Sequence, residues 1–453
     1  MTPEALSADR LLLAPARCWL DGAFAAGMGV LVEGGRFAAV APLHSFEGLE
    51  PLRLPGHALL PGFVDAHTHL TQGFGKALAF GEPSEIFRRI WVPLESHLDE
   101  ETVFLSAKLA ALEALRGGFT TVVDAGTRHE TGAAIVARAT QEAGLRCVLG
   151  LICNDAGQEA APVLARAEAH LARWSGMVRP SLAVSIPELG TDATMARLAA
   201  LCLEAGAPFQ THANEHLVAV ERSIVARGLR PVEHLHAAGA LNPAALLAHA
   251  TLLTPRELGM LRDAGAAVAY CPVATQWKGN AAAPALLMGE MGIRFGLGTD
   301  ATRADAFRLM DAGEAVSRVA YGLAQGDFSQ GAGWTWLEAA TSGAADAAGM
   351  GAVAGRIAPG LAADYLLVDL DVPELMPSRD LAWELVRFGN RDQITAVVVD
   401  GVPRLWRGWP VGWDGRSLMR EVAARVEAAV AKAPIVKLHA DSAAHRSAVR
   451  RGR

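Results

Sequence analysis

The pattern of apolar and polar positions changes at about residue 59. From there on, short apolar runs alternate with longer Ala- and Leu-rich stretches of helical character, such as 101–116 and 192–204. The eight apolar runs are 58–64, 120–126, 147–152, 181–186, 207–212, 246–250, 266–271 and 294–299. Eight strands that alternate with helices are typical of an α/β protein with a (β/α)8 TIM-type barrel.

Both ends of the chain have a different pattern. Residues 10–56 contain short strand-like stretches separated by turns, and similar stretches return at 363–371 and 394–408, followed by a helical stretch at 417–433. Because the barrel interrupts this pattern, we predict a small β-sandwich built from both chain ends. The predicted composite unit covers 1–57 and 355–453, and the predicted barrel covers 58–354.

Composition narrows the class of protein. Hydrophobic residues make up 51% of the chain and charged residues 20%, which indicates a well-buried globular protein. The net charge of −7 gives no field that would attract nucleic acid or an anionic membrane, so neither is expected as a partner. The oligomeric state is not fixed by the sequence, and a homo-oligomer stays open.

The cysteines and the N-terminus indicate the compartment. Five cysteines occur at irregular spacing without a CxxC motif, as expected for thiols in a reducing environment. The N-terminus lacks the pattern of a secretory signal, and no apolar run approaches the length of a transmembrane helix. We therefore expect a cytoplasmic protein.

Polar residues capable of chemistry follow several predicted strands. His67 and His69 end the first, and residues i and i+2 of an extended chain point the same way. The fifth, sixth and eighth strands end in His212, His249 and Asp300, with Glu215 three residues beyond His212. Since the active site of a parallel barrel lies at the C-terminal ends of its strands, these groups should converge. Nitrogen and carboxylate ligands with an open water position suit a hydrolytic metal centre.

At these residues the chain resembles the amidohydrolase superfamily, and within it the cytosine deaminase-like branch of aminohydrolases and chlorohydrolases. The resemblance covers almost the whole chain in the family's order. The matching segments are PGFVDAHTH (61–69), GFTTVVDAG (118–126), THANE (211–215), LLAHATLLT (246–254), GLGTD (296–300), the stretch around Thr341 and APGLAADYLLVD (358–369).

The resemblance implies a role for each matching residue. One divalent metal ion, with Zn²⁺ favoured and Fe²⁺ as the alternative, would be bound by His67, His69, His212 and Asp300. His249 and Asp300 would orient the attacking hydroxide. Glu215 would shuttle protons, a task for which we expect a raised pKa. Because the chain has no lysine between Lys108 and Lys278, a lysine-bridged pair of metal ions is disfavoured.

The substrate-binding candidates rest on weaker signals. Gln72 and Trp91 lie in the segment that covers the substrate in related deaminases, together with Phe74 and Phe80, and Trp277 follows the seventh strand. Near the fourth strand the family's His-Ala-Pro type of segment is replaced by SIPELGTD (185–192). Glu188 in that segment has three open interpretations: a substrate contact, a ligand of a second metal or a structural carboxylate.

The resulting prediction is a metal-dependent hydrolytic deaminase. It would release ammonia from an amino-substituted nitrogen heterocycle such as a purine, pterin, pyrimidine or triazine, by attack of metal-activated hydroxide. Two alternatives stay open: a hydrolase of another C–N bond or of a C–Cl bond on the same scaffold, and an inactive barrel that serves as a binding protein.

Overall fold

Each of the eight predicted strand regions overlaps a strand of one parallel sheet. The computed structural model of the protein describes residues 2–82, 85–322, 326 and 331–438. Its parallel strands lie side by side in chain order. They are β1 (Phe63–Thr68), β2 (Phe119–Asp124), β3 (Arg146–Ile152), β4 (Val178–Ala183), β5 (Phe209–Ala213), β6 (Ala245–His249), β7 (Ala267–Tyr270) and β8 (Arg294–Leu297).

Contacts between the first and last strands close the sheet. The amide of Asp300 donates to the carbonyl of His67 at 2.9 Å. The Asp65 carboxylate accepts hydrogen bonds from the Thr299 amide at 2.9 Å and from the Thr299 hydroxyl at 2.6 Å. The predicted TIM-type barrel is therefore confirmed.

Helices follow the strands and surround the barrel. Several begin at side-chain caps that satisfy free amides, as Asp99 does for the amide of Thr102. Within the described ranges, no helix is long and apolar enough to cross a membrane. The helices from the barrel region are Val92–His97, Glu100–Arg116, Gly132–Ala143, Ala160–Arg173, Asp192–Ala205, Leu217–Arg227, Pro231–Ala237, Pro255–Ala264, Pro272–Lys278, Ala285–Glu290, Ala306–Ser317, Gly333–Ala340 and Ser342–Ala347.

A second sheet combines strands from both ends of the chain, as predicted. Its central strand Pro51–Pro61 pairs in parallel with Arg10–Leu20 and antiparallel with Tyr365–Asp369. The other strands of this sheet are Ala23–Ala25, Met28–Glu33, Arg36–Pro42, Ile394–Val399, Val402–Trp406 and Trp409–Pro410. Helices Leu381–Phe388 and Gly415–Lys432 complete the C-terminal part. The domain bounds of 57/58 and 354/355 stay a prediction, and the strand Pro51–Pro61 crosses the first of them.

One predicted strand is wrong as a single element. The apolar run 58–64 belongs to two strands in two sheets, because the first ends at Pro61 and β1 begins at Phe63. Gly62 lies between them, and a Cβ there would lie 2.1 Å from the Thr120 hydroxyl. The chain therefore passes from one sheet to the other at a position where no larger residue fits without movement of β2.

Candidate metal centre

The C-terminal ends of the barrel strands bring the predicted ligands together. His67 lies within β1, His69 directly after it, His212 within β5 and His249 at the end of β6. His67, His212, His249 and Asp300 each offer a ligand atom within 4.8 Å of the other three. His69 adjoins this group, with Nε2 3.3 Å from His212 Nε2 and 3.5 Å from Asp300 Oδ1. Five side chains from four strand ends thus surround one point.

The protonation of these histidines fits a metal ion. Nδ1 of His212 donates to the Ser185 carbonyl at 2.7 Å, so Nε2 presents its lone pair to the cluster. Nε2 of His67 and of His249 are buried and make no hydrogen bond within the described part of the chain. Burial lowers the pKa of His69 and His212, and it lowers the pKa of His249 to about 4. Neutral imidazoles with one carboxylate form a donor set that suits zinc.

The frame around the ligands is rigid and locally strained. The Asp65 carboxylate, which binds Thr299 on the β8 side, also accepts from the amide of His67 at 3.2 Å. A Cβ at Gly298 would lie 3.1 Å from the nitrogen of His67, so this close approach of β8 to β1 favours glycine. His249 and Asp300 both have left-handed backbone conformations, with φ of 73° and 50°. Such conformations cost energy and concentrate at functional sites.

Glu215 and His249 lie beside the ligand cluster, as predicted. Nε2 of His249 is 3.8 Å from Glu215 Oε2 and 3.9 Å from Asp300 Oδ2. One imidazole therefore adjoins two carboxylates. Asp300 directs its other oxygen, Oδ1, towards Nε2 of His67 at 3.6 Å. The two oxygens of Asp300 thus serve different neighbours.

Lys278 is a site residue that sequence reasoning missed. Its ammonium lies 2.7 Å from Glu215 Oε1 and 2.9 Å from Asp300 Oδ2. It ends the helix Pro272–Lys278, which follows β7 directly. The available signal was its position next to Trp277, a predicted pocket residue just beyond a barrel strand.

Lys278 also reverses the expected protonation of Glu215. Burial raises the pKa of Glu215, but the nearby Lys278 and His249 outweigh burial and hold this pKa well below its usual range. The same neighbours hold the pKa of Asp300 low against burial. The expectation of a raised Glu215 pKa is therefore wrong when only the charges of the protein's own groups act on Glu215. Both carboxylates are ionised, with the ammonium between them.

Three of the four predicted substrate-binding residues line the pocket that contains the ligands. Gln72, Trp91 and Glu188 border this pocket together with His69 and His212. The other predicted residue, Trp277, borders an adjacent pocket that shares Trp91, Lys278 and Asp300 with the first.

Two further aromatic candidates have different surroundings. Phe80 packs edge-on against Trp277, with ring centroids 4.6 Å apart. Phe74 is buried in the hydrophobic core instead of bordering either pocket.

Comparisons with known proteins agree with this arrangement. A model of the amidohydrolase family matches residues 58–404. A 5-methylthioadenosine/S-adenosylhomocysteine deaminase of Nitratidesulfovibrio vulgaris (strain DP4) is 30% identical over 420 residues, which cover 89% of this chain and 91% of the relative.

Two solved structures have the same architecture. An adenosine deaminase from Xanthomonas campestris with bound zinc has a TM-score of 0.84 and 25% identity, and the match covers 92% of this chain and 98% of that one. A guanine deaminase from C. acetobutylicum with bound guanine has a TM-score of 0.78 at 17% identity, with coverage of 87% and 99%. The second likeness concerns the fold alone.

Proposed function

The chain belongs to the amidohydrolase family, and we propose that it is a metal-dependent deaminase of an amino-substituted purine, pterin, pyrimidine or triazine. Its relatives place it among the hydrolases of carbon–nitrogen bonds other than peptide bonds. The observation that carries the proposal is the meeting of His67, His212, His249 and Asp300 at strand ends, with Glu215 beside them. In the reaction, water and the aminoheterocycle give the oxo-heterocycle and ammonia.

We assign the metal ligands to His67, His69, His212 and Asp300. They would hold one divalent ion, and zinc is favoured because the X. campestris deaminase carries it. When bound, such an ion lowers the pKa of a coordinated water from 15.7 towards about 7 and so supplies a nucleophile at neutral pH. Fe²⁺ is the alternative, and metal analysis of the purified protein distinguishes the two.

The protein groups of the site would move the protons. Glu215 is ionised, so its first task is to accept a proton through Oε2 while Lys278 holds Oε1. It donates that proton to a ring nitrogen of the substrate, then accepts the second proton of the added water and passes this one to the leaving amine. His249 and Oδ2 of Asp300 lie where they can orient the attacking water.

The substrate ring would lie in the pocket beside these groups. Trp91 offers a flat apolar face to the ring, and the Gln72 amide offers both a donor and an acceptor. Glu188 offers acceptor oxygens on another part of the same pocket. Trp277 would contact a part of the substrate that extends into the adjacent pocket.

An ammonia-release screen tests the proposed function. Zinc-replete protein is incubated with purines, nucleosides, pterins, pyrimidines and triazines, and chloride release from chloro-heterocycles is measured in parallel. We expect ammonia from at least one aminoheterocycle and retained zinc but at least about 10²-fold slower turnover in Glu215→Gln. His67→Ala should lose zinc and activity together. Chloride release without ammonia release, or stoichiometric zinc in His67→Ala, would refute the assignment.

The remaining expectations stay predictions. These are a cytoplasmic location, the absence of nucleic-acid and membrane partners, and the oligomeric state. Gel filtration with light scattering measures the last of them.

A further inference from the structure

The substrate pocket has a charged wall that takes no part in the proposed proton transfers. Three side chains from three separate elements form it: Glu85, Glu188 and Arg222. Glu85 precedes the π-helical turn Phe87–Trp91, and Glu188 lies in the turn Pro187–Leu189 after β4. Arg222 lies in the helix Leu217–Arg227, which follows Glu215. We call these three residues the acidic wall.

One guanidinium holds both carboxylates of the acidic wall. Arg222 donates through Nη1 to Glu85 Oε1 at 2.6 Å and through Nε to Glu188 Oε1 at 3.1 Å. Arg88 Nε lies 3.6 Å from Glu85 Oε2, so a second guanidinium balances the second carboxylate and the wall has no excess charge. The side chains of the acidic wall are only 12–30% exposed, so solvent screens their charges poorly.

The position of Glu188 is fixed relative to the metal centre. The carbonyl of Ser185, three residues earlier, accepts the hydrogen bond from Nδ1 of the ligand His212. The carbonyl of Leu189, directly after Glu188, accepts from the amides of Asp155 and Ala156 at 3.1 Å each. Since the backbone is fastened on both sides, little backbone freedom is left to lose when Glu188 binds a substrate.

The chemistry of the wall determines what it can bind. Carboxylates only accept hydrogen bonds, and Glu188 makes its hydrogen bond within the described chain through Oε1, so Oε2 is left as an acceptor. Oε2 of Glu85 has Arg88 Nε at 3.6 Å, which is outside hydrogen-bond distance. A substrate group placed against these oxygens would satisfy them only by donating hydrogen bonds.

We propose that the acidic wall selects substrates that carry hydrogen-bond donors away from the reacting amine. This inference rests on the proposed deaminase function and deepens it. Two sources supply such donors: a second amino group on the ring, and the paired hydroxyls of a ribose. Glu188 is the residue that contacts these donors, and Arg222 is a positioning residue that keeps the two carboxylates together against their mutual repulsion.

Matched substrate pairs test the proposal and separate the two sources. Adenosine is compared with 2′,3′-dideoxyadenosine, and 2,6-diaminopurine with adenine, in the wild-type protein and in Glu188→Gln. We expect Glu188→Gln to lower kcat/KM, mainly through KM, by about 10–100-fold for the member that donates to the wall, because it loses a charge-assisted hydrogen bond. The other member of that pair should change less than about threefold. The pair that responds identifies the donor.

Two controls show whether the effect belongs to the wall. Glu168→Gln removes a carboxylate that also pairs with an arginine but lies outside the wall. Glu168 is in the helix Ala160–Arg173, 3.3 Å from Arg197. This variant should leave kcat/KM for all four substrates unchanged. Arg222→Lys keeps the charge but cannot hold two carboxylates with one planar fork, so KM should rise for the responding substrate alone. Equal losses for both members of each pair in Glu188→Gln, or no loss in either pair, would overturn the proposal and make the wall a structural ion-pair group.

A binding measurement keeps this test separate from that of the deaminase function. Zinc-loaded Glu215→Gln is titrated by calorimetry with the same four compounds, with and without Glu188→Gln. If Glu188→Gln selectively weakens the binding of the donor-bearing compound, the proposed role of the acidic wall is supported even if no compound releases ammonia. Alternatively, the protein releases ammonia while Glu188→Gln in the Glu215→Gln background binds both members of each pair as tightly as Glu215→Gln alone. That result would refute the role of the acidic wall and leave the deaminase function supported.

Discussion

The ammonium of Lys278 lies beside the proposed metal site, so two positive charges would be close together once the metal ion is bound. Its ammonium contacts Glu215 and Asp300, the carboxylates assigned to proton transfer and metal binding. The attraction fixes Glu215 Oε1, so the other oxygen keeps a defined orientation towards the substrate. The same ammonium opposes a divalent ion at Asp300. Lys278 should therefore assist turnover at some expense of metal affinity.

Replacing Lys278 by methionine should separate these two effects. We expect Lys278→Met to bind zinc at least as tightly as the wild-type protein, measured by competition with a chelator, but to lose about 10–100-fold in kcat because Glu215 loses a charged hydrogen bond. Lys108→Met is the matched control, since Lys108 pairs with Glu142 at 2.7 Å on the outer surface. Wild-type kcat in Lys278→Met would contradict the role assigned to Lys278.

We expect His170 to make the stability of the protein depend on pH. Nε2 of this buried histidine lies 3.0 Å from the Leu149 carbonyl, and Nδ1 accepts the indole N–H of Trp174 at 3.1 Å. Both nitrogens are satisfied only in the neutral ring, since a proton on Nδ1 would face another donor. Burial lowers the pKa of His170 below its ordinary 6.5, and Arg173 acts in the same direction.

The sign of the pH effect follows from this lowered pKa. The folded protein binds fewer protons at His170 than the unfolded chain, so this stabilisation is complete above about pH 6.5 and is lost as the pH falls below it. Urea midpoints at pH 7.5 and 5.5 should differ less in His170→Gln than in the wild-type protein. Trp174→Phe, which removes the opposing donor, should narrow the difference as well. An unchanged difference in both variants would show that His170 does not contribute.

Individual residues show which parts of the site the sequence could predict. His67, His69, His212, His249 and Asp300 were accessible because each ends or follows a recognisable strand, and barrel geometry then brings strand ends together. Lys278 ends a short helix beyond β7, where one lysine has no periodic signal. Glu85 and Arg222 meet only through the tertiary fold, 137 residues apart in the chain. Neither has a neighbour in sequence that predicts the other.

Elements show a second limit of sequence reasoning. The run 58–64 is apolar throughout because Leu59 and Leu60 are buried in one sheet, and Phe63 and Val64 in the other. Burial in either sheet selects the same residue types, so hydrophobicity cannot locate the boundary between them. Gly62 marks it, but glycine interrupts many strands without a change of sheet.

The segment after the last described helix is hydrogen-bonded to Glu82 and to the turn Phe87–Trp91, which together we call the cover of the substrate pocket. The amide of Val436 donates to the Arg89 carbonyl at 3.0 Å, and the amide of Leu438 donates to Glu82 Oε2 at 2.9 Å. Arg89 lies in the turn Phe87–Trp91, and Glu82 borders the substrate pocket. These backbone bonds should restrain the opening of the cover.

Removing one backbone donor tests this restraint. We expect Val436→Pro to increase the rate of limited proteolysis within residues 76–91 and to raise KM several-fold with little change in kcat, because proline cannot donate to the Arg89 carbonyl. Val436→Ala keeps the amide and serves as the control, since the side chain of Val436 is 52% exposed. Equal proteolysis of the two variants would show that the segment does not restrain the cover.

At the scale of the whole molecule, a buried ion pair joins the barrel to the part built from both chain ends. Arg146, the first residue of β3, donates to both oxygens of Asp364, through Nε at 3.0 Å and Nη2 at 3.2 Å. Asp364 also accepts the amide of Asp400 at 2.7 Å, and its side chain is fully buried. The pair lies at the start of a barrel strand, whereas the proposed metal ligands lie at the strand ends. Its role is therefore structural.

Breaking this pair should destabilise the protein without disturbing the metal centre. Asp364→Asn leaves the buried Arg146 with only the half-exposed Asp400, 3.4 Å away, as a counter-charge, and breaking a buried ion pair typically costs about 3–5 kcal/mol of unfolding free energy. We expect a lower urea midpoint with unchanged zinc stoichiometry below the transition. Glu168→Gln, which breaks the half-exposed pair with Arg197, should cost about 1 kcal/mol or less.

A double replacement distinguishes charge from shape at this junction. Arg146→Met with Asp364→Leu removes both charges while keeping apolar volume, so it should recover most of the stability lost in Asp364→Asn. The Asp400 amide then loses its acceptor, so recovery should stay incomplete. A double variant as unstable as Asp364→Asn would mean that the hydrogen bonds of Asp364, not the balance of charge, hold the two sheets together. Stability of Asp364→Asn within about 1 kcal/mol of the wild-type protein would show that the pair does not join them.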